Sequence, residues 1–365
     1  MSQSSVHTRL GSLLLIPLVL SVLFVPTLEA SWLYLVLGVV LGAWPLALAE
    51  RALAARANQP LIAGMQVLTR QSDAAIRWRV LAWSSLGASV LLLVVMALYA
   101  GAFVTQVLQT QGLLTDFPAS SIWSASTVII IFLGVLRRFS RAALSLWLLP
   151  TLALAALLFW QMSQQATVAM QTELNLLPAL PGEAMLLAGV LLGGAGTMIR
   201  WPVYVGVVNQ LTVKLTAVLL MLAAVFFASL HHGSACMVAT LLSAVLLFLA
   251  LTTVAEPAIT HVQTKVSSPW MASLAVIVPV VLLSQWISLQ AGELVLRAWL
   301  QAALLWMALN ALILATYTGW IMKISHARKA LQLPSEGAYN LWRIAIRWVA
   351  PITLLVALYQ WFSLS

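Results

Sequence analysis

Apolar runs of about 20 residues follow one another along almost the whole chain, and a run of that length is what a hydrocarbon layer roughly 30 Å thick requires of a spanning helix. Stretches such as Leu241–Ala250 are continuously apolar rather than alternating, which excludes the strand pattern of an outer-membrane barrel. The sequence therefore reads as an all-α polytopic membrane protein. Composition agrees: with 62% hydrophobic and 7% charged residues, a chain of this size cannot clothe a water-facing surface, so a soluble enzyme is excluded. Spans are expected near 10–28, 31–49, 80–105, 121–136, 143–162, 184–206, 212–230, 236–258, 270–290, 296–320 and 342–363, about 11 transmembrane helices in all. The first apolar segment is long, carries Pro17 and Pro26 and runs straight into the next span, unlike a cleaved signal peptide.

The formal charge of +9 invites a nucleic-acid reading, but the positions of the charges decide for membrane topology. With the N-terminus in the cytoplasm, Arg9, the arginines of 51–79, Arg137, Arg138, Arg141, Lys214, Lys265 and the cations of 323–347 all fall on the inner side. Only Arg297 falls outside, while Arg200 lies within or near the end of a span. That asymmetry is the positive-inside rule, so the basic balance is an insertion signal and no nucleic-acid partner is expected. An odd number of spans then puts the C-terminus in the periplasm, and compact loops suggest a bacterial inner membrane. Membrane lipids are the default partners of the basic inner loops. Trp32, Trp78, Trp123, Trp160, Trp286, Trp299 and Trp342 fall near expected span ends, as interfacial anchors do.

The longest polar segment is Arg51–Arg79, read as an inner loop, and an outer loop at 163–183 separates the fifth and sixth helices. A repeat boundary would fall there, giving a first five-helix unit at 1–162, a second of opposite topology at 184–320, and an inner loop with one extra helix at 321–365. Transporters built from two inverted five-helix repeats bind near the midplane at the repeat interface.

Ordered words along the chain carry a resemblance. They are the run from Gly42 through Pro45 to Glu50 and Leu53, Trp78-Arg79 through Trp83 to Ala100-Gly101, Gly134 through Arg137 and Ser140 to Pro150, Gly194 through Gly196, Arg200 and Pro202 to Tyr204, Glu256-Pro257, and Arg347 to Pro351. In that order they resemble the neurotransmitter:sodium symporter family, as a shortened, divergent member. The resemblance implies the inverted-repeat fold with one helix beyond ten, and transport of amino acids or related amines along sodium gradients.

It also implies site positions. The family's broken first helix has no counterpart between Leu13 and Thr27, but Gly193, Gly194, Ala195 and Gly196 form a flexible stretch mid-span where backbone groups can be freed for a ligand. Close packing of helices is the competing reading of the same small residues. Leu192 stands where the family carries a helix-six serine, Ala195 where an aromatic closes over substrate, and Val95–Met96 at a tyrosine pair. Thr252 and Thr253 take the sodium-binding Thr-Ser place if a three-residue deletion is allowed; anchoring on Glu256-Pro257 puts Leu249 and Ala250 there instead. With hydroxyls stripped from both helices, sodium coupling is not expected in the ordinary form, and Na+ or H+ is left open as the coupling ion. Ions at bilayer depth cost about 2.5–3.5 kcal/mol on insertion scales, so Arg200 and Glu256 need partners: each other, or Glu50. Arg200 reads either as a side chain that snorkels to the inner surface or as the grip on an anionic solute. Glu50 and Glu256 are the candidates for proton coupling; Glu256, just before Pro257, reads equally as a group that satisfies the backbone freed by the proline.

Nothing else in the sequence points to chemistry. One cysteine, Cys236, excludes a multi-cysteine metal site, His231-His232 lacks a neighbouring acid, and no HExxH, Walker loop or Ser/His/Asp arrangement has a supporting context, so neither a metal nor an enzyme is expected. Two functions fit: a secondary transporter for a small amino-acid-like organic solute, or a transport-inactive membrane subunit that scaffolds a partner protein.

Overall fold

The computed structural model describes residues 32–110, 119–139, 185–192, 194–205, 254–255, 257–266, 268–290 and 293–364. Every regular element among them is helical. Five helices are long and apolar enough to cross a membrane, spanning Leu33–Ala57, Ile76–Ala102, Pro269–Leu289, Ala298–Ile321 and Glu336–Ser363. The chain is a multi-pass membrane protein. The expected spans at 10–28, 143–162 and 212–230, most of 236–258, and the boundary loop 163–183 lie outside the described residues.

The first described span joins α1 (Trp32–Gly38) to α2 (Trp44–Ala57) through a π turn at Val39–Ala43. Pro45 explains the turn: it lacks an N–H and its ring collides with the carbonyl four residues back, so the helix widens just before it. The same device recurs near Pro351, where α11 (Glu336–Ile344), a π turn at Ala345–Val349 and α12 (Ala350–Leu364) form one span. α2 ends on Asn58 in the left-handed region, φ 46°, whose N–H is bonded to the Ala54 carbonyl.

The segment read as a polar inner loop, Arg51–Arg79, is a correction. Helix continues to Ala57, an amphipathic α3 occupies Leu61–Gln71, and a 3₁₀ turn at Ile76–Arg79 leads into α4 (Val80–Thr110). Arg51 is 1% exposed and donates to the Leu331 carbonyl at 3.5 Å instead of facing solvent. Charge alone suggested a loop; a buried carbonyl partner lets a helix keep the charge.

α4 lies at the centre, packed against α3, α5 (Ala119–Phe139), α8 (Pro269–Leu289) and α9 (Glu293–Thr316). Between them in sequence come α6 (Met185–Leu191) and α7 (Trp201–Tyr204). After α9 and a π turn at Tyr317–Ile321, α10 (Ile324–Leu331) folds back onto α2. Lys323 pairs with Asp73 at 3.0 Å and the Tyr339 hydroxyl donates to the Ile324 carbonyl, so the segments around Asp73 and Lys323 meet at one end of the bundle.

Trp123 and Trp342 are a second correction. They are 8% and 1% exposed, their indole N–H groups donating to the carbonyls of Leu98 and Pro45, so they are core residues rather than interfacial anchors. Trp286 is half exposed and edge-on to Trp299.

α1 and α6 cross at two glycines. A Cβ on Gly38 would lie 2.9 Å from the Gly189 Cα and against the Leu186 carbonyl, and one on Gly189 would lie 3.0 Å from the Gly38 Cα. Without a hydrophobic force between helices in lipid, such backbone approach is what van der Waals association requires. Gly189→Leu should therefore cost about 1–3 kcal/mol of stability in detergent, read as a lowered thermal midpoint. Gly337→Ala is the control: its added Cβ meets nothing nearer than Ser335 Oγ at 3.9 Å, and the midpoint should hold.

Candidate functional site

The sixth expected span, 184–206, is not one helix: α6 stops at Leu191 and α7 starts at Trp201. The chain between makes turns that only particular residues allow. Gly194 has φ 71° and Gly196 φ 83°, the left-handed region where glycine carries no Cβ penalty, and Met198 enters it at φ 54°. Gly196 also presses on α9, for a Cβ there would strike the Met307 carbonyl and come within 3.0 Å of the Ala311 nitrogen. The stretch thus interrupts the helix and packs closely on α9 at once.

Side chains tie the break to its neighbours. Thr197 Oγ1 donates to the Gly194 carbonyl at 2.6 Å, and Ser89 Oγ of α4 donates to the Thr197 carbonyl at 2.9 Å. On the α9 side, Ser84 Oγ donates to Asn310 Oδ1 at 2.7 Å while accepting from the Trp306 indole at 3.0 Å. The Trp201 indole donates to the Gln59 carbonyl at 2.8 Å, anchoring α7 on the turn between α2 and α3.

The charges complete the arrangement. Arg200 and Glu50 form a salt bridge with both side chains almost wholly buried, the guanidinium Nε and Nη2 each 3.4 Å from Glu50 Oε2. Arg200 is therefore not a snorkelling side chain. It ends the break, and Glu50 of α2, offered by sequence as one of its possible partners, neutralises it. The backbone amides of Arg200 and Trp201 also act on the same carboxylate. Glu50 Oε1 and Arg200 Nη1 have no hydrogen-bond partner, so the pair is electrostatically matched yet incompletely bonded.

Of the sequence-expected site residues, the structure gathers Gly194, Ala195, Gly196, Arg200 and Glu50; Gly193, Thr252, Thr253 and Glu256 lie outside the described residues, as do Cys236 and His231-His232. Leu192 and Ala195 are buried at the break, and Val95 and Met96 are buried on α4. His261 is a residue that the sequence reading passed over: buried, beside the Met198 backbone, with no hydrogen bond on either ring nitrogen. A lone histidine past the end of an expected span carries no signal that could have found it. Among the described residues no group of three His, Cys, Asp or Glu side chains gathers to hold a metal. At the α10 end, burial and then Arg56, Lys323 and Lys329 keep the His326 imidazole below its usual pKa, so it is neutral at pH 7.

Solved structures share this architecture. MhsT, crystallised in complex with L-phenylalanine, superposes with a TM-score of 0.69 over 99% of this chain and 98% of its own, at 16% identity. The chain has a polytopic helical transporter fold. A manganese transporter from Eremococcus coleocola, crystallised with an aromatic bis-isothiourea substituted compound, matches with a TM-score of 0.52 over 98% of this chain and 86% of its own, at 13% identity. No protein-family model matches the sequence, and a comparison with the curated proteins finds no match. The break falls within the expected span 184–206, on the words from Gly194 to Tyr204 that carried the resemblance.

Truncating either charge should leave the other buried and unpaired, costing about 3–5 kcal/mol. Glu50→Gln and Arg200→Met are each expected to lower stability by that order, and the double variant should recover much of the loss. A cycle measured by unfolding in detergent checks this; additive losses would show the two groups to be independent.

Proposed function

We propose that the protein is a secondary transporter for a small amino-acid-like organic solute, as a divergent relative of the neurotransmitter:sodium symporters. The observation that carries the reading is the break between α6 and α7. Backbone without helical bonds is tolerated within a membrane span only where protein buries it or where it lines a cavity, and transporter folds place solutes at such discontinuous helices. In this proposal Gly193, Gly194, Ala195 and Gly196 supply the solute's backbone contacts, and Arg200 supplies charge for an anionic group once Glu50 releases it.

The coupling ion in this reading is a proton, handled by Glu50 or Glu256. Sodium would rely on Thr252 and Thr253, with Leu192 and Ala195 contributing no side-chain oxygen. The fold neighbours support transport as a class: one was crystallised with an amino acid, the other is called a manganese transporter. The bacterial inner membrane, with the N-terminus in the cytoplasm, remains part of the proposal.

One observation favours a second reading. Arg200 is already neutralised by Glu50, and the Gly196 seat on α9 is filled, as expected of a transport-inactive subunit that scaffolds a membrane-protein partner. A thermal-shift screen separates the two, comparing sodium, potassium and choline salts at two pH values with pooled amino acids and amines. A solute that binds only the folded protein at 100 times its dissociation constant adds about 2.7 kcal/mol. The transporter reading expects a solute-specific shift that depends on pH more than on sodium. No shift with any pool, together with a stoichiometric partner retained through gentle extraction, would contradict it.

The substitution that tests the site must respect the backbone. A side chain at Gly196 would collide with α9 and confound binding with folding, whereas at Gly194 the nearest groups are the flexible Ile199 and Thr197 side chains. At φ 71° an alanine costs about 1–2 kcal/mol of backbone strain, less than the collision at Gly196, so Gly194→Ala is the more informative variant, expected to weaken solute binding by more than its loss of stability explains while the protein stays folded.

A further inference from the structure

Outside the break, α11 and α12 carry an arrangement that the transport reading does not use. Ile344, Trp348, Ile352, Leu355, Tyr359 and Phe362 recur every three or four residues along this span and are all more than half exposed. This is a face turned to acyl chains. At its loop end stand Arg343 and Arg347, each immediately preceding a member of the stripe. The two arginines are close enough to repel one another, and among the described residues neither forms a salt bridge with a carboxylate.

Arg347 is held in place. Its Nε donates to the Gly319 carbonyl at 2.5 Å, in the π turn that ends α9, and its guanidinium lies 5.1 Å from the centre of the Trp320 ring. Trp320 in turn meets Trp348 edge-on at 5.1 Å, and both indoles are half exposed. Two π turns, Tyr317–Ile321 and Ala345–Val349, thus face each other and fix a cation over the Trp320 ring, itself packed on Trp348, where the apolar stripe reaches the loops. Indole rings of this kind sit at head-group depth, and basic clusters between spanning helices bind anionic head groups.

We infer that Arg343 and Arg347 bind the phosphate of an anionic phospholipid, with Trp320 and Trp348 flanking the glycerol region and the acyl chains lying along the α12 stripe. Charge complementarity selects the anion, since among the described residues the two adjacent cations form no salt bridge with a carboxylate. The stripe selects a lipid over a free anion, because the apolar contact begins beside the arginines and runs the length of α12. The inference is independent of whether the protein transports.

Native mass spectrometry of the full chain in detergent tests it, titrating dioleoyl phosphatidylglycerol, dioleoyl phosphatidylcholine or inorganic phosphate. The wild type should retain phosphatidylglycerol in preference to phosphatidylcholine, and inorganic phosphate should not displace it. Arg343→Gln/Arg347→Gln should weaken phosphatidylglycerol retention by roughly 30-fold, as expected for two cations at a membrane surface. Arg77→Gln/Lys329→Gln removes the same charge from exposed positions elsewhere and should leave retention unchanged. Because Arg347 also braces two turns, Arg343→Gln alone serves as the second variant, with about a fivefold loss expected at an unchanged thermal midpoint. Equal retention of the two lipids, displacement by inorganic phosphate, an equal loss in the control pair, or full retention by Arg343→Gln would each overturn the proposal.

Discussion

A carboxylate and a guanidinium taken out of water together constrain this molecule more than any other contact. Glu50 belongs to a helix that also packs against α7 and α10, and Arg200 closes the non-helical stretch after α6. Either charge alone would be costly in this interior; as a pair they set the distance between the second span and the broken sixth. The break's other bonds, Ser89 to Thr197 and the Gly196 seat on α9, then hold it against α4 and α9. The pair is buried but not bonded to its full capacity, an arrangement that a change of protonation or a competing anion can alter.

The remaining architecture shows how a chain handles backbone defects where water is scarce. Pro45 and Pro351 each remove a donor from a spanning helix, and each is preceded by a π turn that absorbs the missing bond. The glycine crossing of α1 with α6 brings two backbones together where apolar side chains would gain nothing over lipid. These adjustments leave α6 lying against the first described span just before it breaks, so the break begins from a fixed point.

Much of this was legible in the residues. Run length gave the membrane and the helices, because hydrocarbon thickness translates directly into chain length. The glycines at 194 and 196 marked the break, since few residues tolerate the left-handed backbone, and Glu50 and Arg200 stood out as charges in need of partners. What was not legible has a single physical origin: protein interior and lipid are equally apolar. Hydropathy cannot say that Trp342 faces the core while Trp348 faces outward, nor that Arg51 is buried in a helix instead of exposed in a loop. The snorkelling reading of Arg200 failed for the same reason, because depth in the bundle is set by packing partners 150 residues away in sequence.

Hydrogen exchange, read by mass spectrometry over 194–200 in wild type and Glu50→Gln, most directly tests whether the buried pair holds the broken helix. If the account is right, amides of the break exchange markedly faster in the variant while those of α4 keep their protection. Unchanged exchange at the break, in a variant that remains folded, would contradict it and leave the conformation of the sixth helix to its glycines alone.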